Sequence, residues 1–107
     1  MREIQLPEEP SLTVLQDHIK AICAQHGWDK NSVPEVFLLF SEECGELAKA
    51  IRLHTGFKHE SSSASHEELA AEFADVLSYL MDLANRFDVN LANAYQKKQA
   101  RNTHRKW

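Results

Sequence analysis

Between Val33 and His54 apolar residues return every three or four positions, and a carboxylate stands in the middle of them. At about 100° per residue, Val36, Leu39, Phe40, Leu47, Ala50 and Ile51 share one arc of a helix. Glu43 points into the centre of that arc, Glu46 lies on its shoulder, and Glu42 is turned further out. A lone ionised carboxylate in apolar surroundings is costly, or it takes up a proton. The chain therefore has to fold so that something offsets this charge.

The rest of the sequence reads as further helices. Ser11 is placed to cap a first helix with Leu12, Leu15, Ile19 and Ile22 on one face, and Gly27 ends it. Asn31-Ser-Val-Pro34 opens the second, which closes at Thr55-Gly56. Residues 57–65, rich in Ser and His, read as a polar, mobile loop. Ser65-His-Glu-Glu68 has the form of a capping box for a third helix, with the stripe Leu69, Phe73, Val76, Leu80, Leu83 and Phe87. Asp88-Val-Asn90 interrupts it, and Asn90 caps a fourth helix from Leu91. No alternating strand pattern appears. The expected fold is all-α: one domain over residues 1–107, with residues 1–10 as an N-terminal extension, built as a four-helix bundle or as a helical unit that completes its core by dimerising.

The third helix repeats the anomaly of the second. Glu72 lies at the edge of its apolar arc, near Val76, Tyr79 and Leu83, and Asp75 follows one turn along. The i, i+3 spacing puts each acidic pair, Glu43 with Glu46 and Glu72 with Asp75, on one side of its helix. Two such pairs on consecutive antiparallel helices can converge. Four oxygen donors without thiolate or imidazole suit a hard cation, Mg²⁺ first and Mn²⁺ second. Such a cation offsets repulsion and desolvation together. Di-iron bundles need Glu-x-x-His on two helices, and here Glu46 and Asp75 stand where those histidines would be.

A formal net charge of −4 gives no electrostatic case for nucleic acid. No apolar run reaches the roughly 20 residues of a membrane span. The first ten residues lack the apolar core of a signal peptide, and Cys23 and Cys44 fall on apolar helical faces without a metal or redox motif. Buried free thiols in a cytoplasmic protein are the expectation. On the fourth helix the face that begins Leu91, Ala94 and Tyr95 continues as Lys98, Asn102 and Arg105. Cations beside a metal–carboxylate cluster suggest a polyphosphate substrate.

These residues resemble a known family. Glu42-Glu43-x-x-Glu46 followed by Glu72-x-x-Asp75 is similar to the EExxE…ExxD signature of MazG-like nucleotide pyrophosphohydrolases, an all-α superfamily. The resemblance extends through Leu69-Ala-Ala-Glu-Phe-Ala-Asp-Val-Leu77 to Lys98-x-x-x-Asn102-x-x-Arg105, and so covers most of the chain from Trp28 onward. It implies Mg²⁺-dependent hydrolysis of a (deoxy)nucleoside triphosphate at the α–β bond, to the monophosphate and pyrophosphate, in the removal of unwanted nucleotides. It also implies a homodimer or homotetramer in which paired helical units complete the sites. Glu43, Glu46, Glu72 and Asp75 match the metal positions. By the same resemblance Glu42 and Glu43 are the expected catalytic residues, with Glu42 matching a position suggested to activate water.

Lys98, Asn102 and Arg105 match the phosphate contacts. Trp28 matches a tryptophan that stacks on the base in dCTP-preferring relatives, with a core plug as the alternative. Tyr79 falls where such relatives carry an aromatic at the base or sugar, with core packing as the alternative. His18 and His54 are candidate pocket residues, whereas His59, His66 and His104 have no constellation around them. A second aromatic of some relatives has no counterpart, since Leu53 and His54 stand there. Phosphoribosyl-ATP pyrophosphohydrolase is the alternative enzyme, and a non-catalytic helical dimerisation module the alternative from another class.

Overall fold

A computed structural model of the chain describes residues 3–56 and 63–105. Four α-helices, α1 (Leu12–His26), α2 (Val33–Thr55), α3 (His66–Arg86) and α4 (Leu91–Thr103), carry the fold, with a single 3-10 turn at Trp28–Lys30 after α1. Among the described residues there is no strand. The all-α expectation holds. Of the loop expected over residues 57–65, residues 57–62 lie outside the described part, and Ala64 is buried rather than part of a polar surface.

Local chemistry sets the helix ends. The Ser11 hydroxyl accepts from the Val14 amide at 3.1 Å, which satisfies one of the unpaired donors in the first turn of α1. Ser32 and Glu35 form a reciprocal capping box on α2, with Pro34 in the first turn. Ser65 caps α3 through the Glu68 amide at 3.1 Å, and Asn90 caps α4 through that of Asn93 at 2.9 Å. Gly27 and Gly56 end α1 and α2 with φ of 76° and 72°, a left-handed conformation that costs glycine little. Asp88 takes the same conformation without being glycine, at φ 54°. The amides of Asp88 and Val89 fold back on the carbonyls of Asn85 and Ala84, the pairing that terminates a helix in a Schellman motif.

The described residues fall into two compact units, one within Met1–Lys30 and Met81–Trp107, the other within Asn31–Leu80; α3 passes from the second into the first. In the first unit, Cys23, Met81 and Ala84 are buried with two polar residues, Gln16 and Asp82. Gln16 organises the unit. Its Nε2 donates to the Val89 carbonyl, its Oε1 accepts from the Leu91 amide at 3.0 Å, and its own carbonyl accepts from Asn85 Nδ2 at 3.0 Å. The Asn90 amide group adds a bond to Thr13 Oγ1 at 3.2 Å. One buried side chain thus ties α1 to the turn between α3 and α4 and satisfies an unpaired donor at the start of α4. Arg86 pairs with Asp82 at 3.1 Å and donates from Nη2 to the Trp28 carbonyl at 3.0 Å, which fastens the 3-10 turn to the end of α3.

In the second unit Val36, Ala50 and Ala64 are buried. Several residues placed on buried stripes are instead exposed: Leu39 and Ile51 on α2, Phe73 and Leu80 on α3, Phe87 just past its end, and Ala94 and Tyr95 on α4. Each helix is apolar over a wider arc than its neighbours within the chain cover.

Candidate metal centre

Glu43 stands in the middle of α2, Glu72 and Asp75 one turn apart on α3, all within the second unit. Their carboxylate oxygens come within 4.8 Å of one another. Glu43 and Glu72 are half-buried and Asp75 is exposed, so the cluster has a covered side and an open one. Among the described residues it is the only group of three or more potential ligands so close together.

Its electrostatics follow from its geometry. Partial burial, and then the charges of Asp75, Glu72, Glu42 and Glu46, push the pKa of Glu43 above that of an ordinary glutamate. Glu72 Oε2 is buried without a hydrogen-bond partner among the described residues. Buried polar atoms are nearly always satisfied, so an orphaned carboxylate oxygen needs an explanation. A divalent cation held by these carboxylates would supply one. Cis oxygens on one Mg²⁺ lie about 3 Å apart, so the three carboxylates would have to draw in from their present spacing to share one ion. An all-oxygen donor set fits Mg²⁺ and Mn²⁺ and does not favour zinc or copper.

The sequence placed four acids at this point, and the structure gathers three. Glu46 is exposed and stays outside the cluster, though its charge still acts on Glu43; Glu42 is exposed beside it. The i, i+3 rule puts a pair on one side of a helix and leaves open whether both members reach a common point. Tyr79 is half-buried on α3 in the same unit.

The chain matches no model of a known protein family and no characterised protein sequence. The family resemblance therefore stands on the spacing of its residues.

Of the remaining candidates all but His54 belong to the first unit. Lys98, Ala100, Arg101, Asn102, His104 and Arg105 line an open depression of about 650 Å³. Arg105 does not lie on α4 as its spacing suggested, because the helix ends at Thr103. The amides of His104 and Arg105 bond to the carbonyls of Arg101 and Asn102, a tighter i, i+3 turn, while Thr103 Oγ1 donates back to Gln99. Arg105 is brought to the depression by that turn. Trp28 is 49% exposed and stacks on His26, with ring centroids 4.2 Å apart and planes 11° from parallel. That exposure rules out a core plug. His18 is engaged by the N-terminal segment, its Nε2 lying 3.1 Å from the Ile4 carbonyl. His54 bonds the Ala64 carbonyl within the second unit. Sequence reasoning missed Gln16 and Arg86, which bond to residues far along the chain, and read Asp82 as solvated, whereas it is buried and paired with Arg86 one turn along α3.

Proposed function

We propose that this protein is a Mg²⁺-dependent nucleoside triphosphate pyrophosphohydrolase that cleaves (deoxy)nucleoside triphosphates between the α and β phosphates. The observation that carries this reading is the buried, unpartnered Glu72 oxygen inside a cluster with Glu43 and Asp75. Such a cluster is destabilised by its own charge and fitted to a hard cation. Mg²⁺, when bound, supplies charge neutralisation at the phosphates and a polarised phosphorus.

In this reading Glu43, Glu72 and Asp75 hold the ion and Glu46 adds to the local field. Glu42, exposed beside Glu43, takes the proton from the attacking water, and Lys98, Asn102 and Arg105 bind the polyphosphate. Trp28 offers the ring face that His26 leaves uncovered to a base. The active form is a homodimer or homotetramer, and the exposed Phe37, Leu38 and Phe73 of the second unit support this, since extended uncovered apolar surface marks an interaction site.

The test is pyrophosphate release over a panel of canonical and modified triphosphates with Mg²⁺. Release from at least one of them, abolished by Glu43→Gln, supports the reading. No release from any triphosphate, or equal activity in the variant, overturns it.

A further inference from the structure

The junction between α2 and α3 holds a second group of ligating side chains, about 16 Å along α2 from Glu43 by the rise of a helix. His54, in the last turn of α2, places its Nδ1 2.9 Å from the Ala64 carbonyl oxygen. A carbonyl only accepts, so Nδ1 carries the hydrogen, and in the neutral ring the lone pair is on Nε2. A metal-binding imidazole has this arrangement, one nitrogen anchored on a backbone carbonyl and the other directed to the ion. The anchor is itself fixed, because Ala64 is buried.

His66, the first residue of α3, supplies a second imidazole. The two ring centroids lie 6.4 Å apart with their planes at 64°. A Zn–N bond of about 2.0–2.1 Å puts two imidazoles on one ion with centroids on the order of 5–6 Å apart. A small rotation of the exposed His66 side chain closes the difference. Glu67 and Glu68, exposed in the first turn of α3, follow His66 directly in sequence, and water would complete the coordination.

We propose that His54 and His66 form a site for a divalent transition-metal ion of the Zn²⁺ type, which pins the end of α2 to the start of α3. Imidazole suits Zn²⁺, Ni²⁺ and Cu²⁺, whereas carboxylate oxygen suits Mg²⁺. The two sites therefore select different ions, and the second does not depend on the first.

The test is thermal unfolding against Zn²⁺ and Ni²⁺ with excess Mg²⁺ present to occupy the carboxylates. His54→Asn keeps a donor at the Nδ1 position for the Ala64 carbonyl and removes the ligating nitrogen; His66→Gln removes the second ring. Zn²⁺ and Ni²⁺ should raise the unfolding temperature of the parent protein. Either substitution should increase the half-saturating concentration by roughly tenfold or more, with the response to Mg²⁺ unchanged. In the unsubstituted protein, substoichiometric Cu²⁺ should broaden the imidazole resonances of His54 and His66 before those of other histidines. A parent protein indifferent to Zn²⁺ and Ni²⁺, a variant that keeps the parent's half-saturation, or broadening that begins at another histidine overturns the proposal.

Discussion

An ordinary glutamate gives up its proton near pH 4.3, and Glu43 keeps its proton to higher pH through partial burial and then the carboxylates around it. The unfolded chain lacks this shift. Above the ordinary value the folded state therefore binds more proton than the unfolded one, and stability falls as pH rises through the raised pKa. Metal-free protein should accordingly gain thermal stability relative to Glu43→Gln as the pH is lowered from neutral toward the ordinary glutamate range. At neutral pH the variant should equal or exceed the parent in stability while losing turnover. A stability difference that does not change with pH would sink this account of Glu43. The thiols give a separate check at the same scale. Burial, with Asp82 beside it, pushes Cys23 up to about 11, so at pH 8 about one part in a thousand is thiolate. Cys44 is only half-buried. Alkylation of the native protein followed by mass spectrometry should modify Cys44 well before Cys23.

At the scale of the helices, the caps are local and the junctions are not. Gln16 is 5% exposed and joins α1 to residues more than 70 positions along the chain. Replacing it with Leu leaves the Val89 carbonyl and the Leu91 amide without partners at a part-buried site. Each buried group left unsatisfied costs about 1–3 kcal/mol, so Gln16→Leu should lose about 2–4 kcal/mol in denaturant unfolding. A loss under about 0.5 kcal/mol, the level of an ordinary surface change, would show that water replaces the amide without penalty and that α4 is oriented by its apolar contacts alone.

For the molecule as a whole, the apolar surface left uncovered is the consequential feature. Phe37, Leu38 and Phe73 in the second unit, and Phe87 and Tyr95 in the first, are each more than half exposed. No described helix is long and apolar enough to cross a membrane, so a lipid-spanning segment does not account for them. We expect light scattering to report a dimer or tetramer at micromolar concentration. Phe73→Glu should shift it toward monomer, because a charge at the centre of an apolar contact is buried without a partner. A parent protein that is monomeric and folded at that concentration would contradict the assembly proposed here.

Much of this structure was legible in one dimension because the interactions that define it are short in sequence. Ser11, Ser65, Asn90, Gly27 and Gly56 act over three to five residues, and each ends a helix where its spacing indicated. Period and cap together also placed Glu43 on α2 and Glu72 with Asp75 on α3. What periodicity cannot express is which part of a wide apolar arc another element covers. Leu39, Phe73 and Leu80 share stripes with residues that are more buried and are themselves exposed. Nor can spacing decide which acids meet, and Glu46 stays outside while Asp75 joins. Gln16 looked like an ordinary polar residue on a helix face, since its partners lie 69–75 positions away and only the folded chain brings them to it. The sequence alone determined the helices and the charges they carry; tertiary structure decided which charges meet, because convergence depends on how two helices are rotated about their axes, and cooperative packing over distant residues sets that rotation.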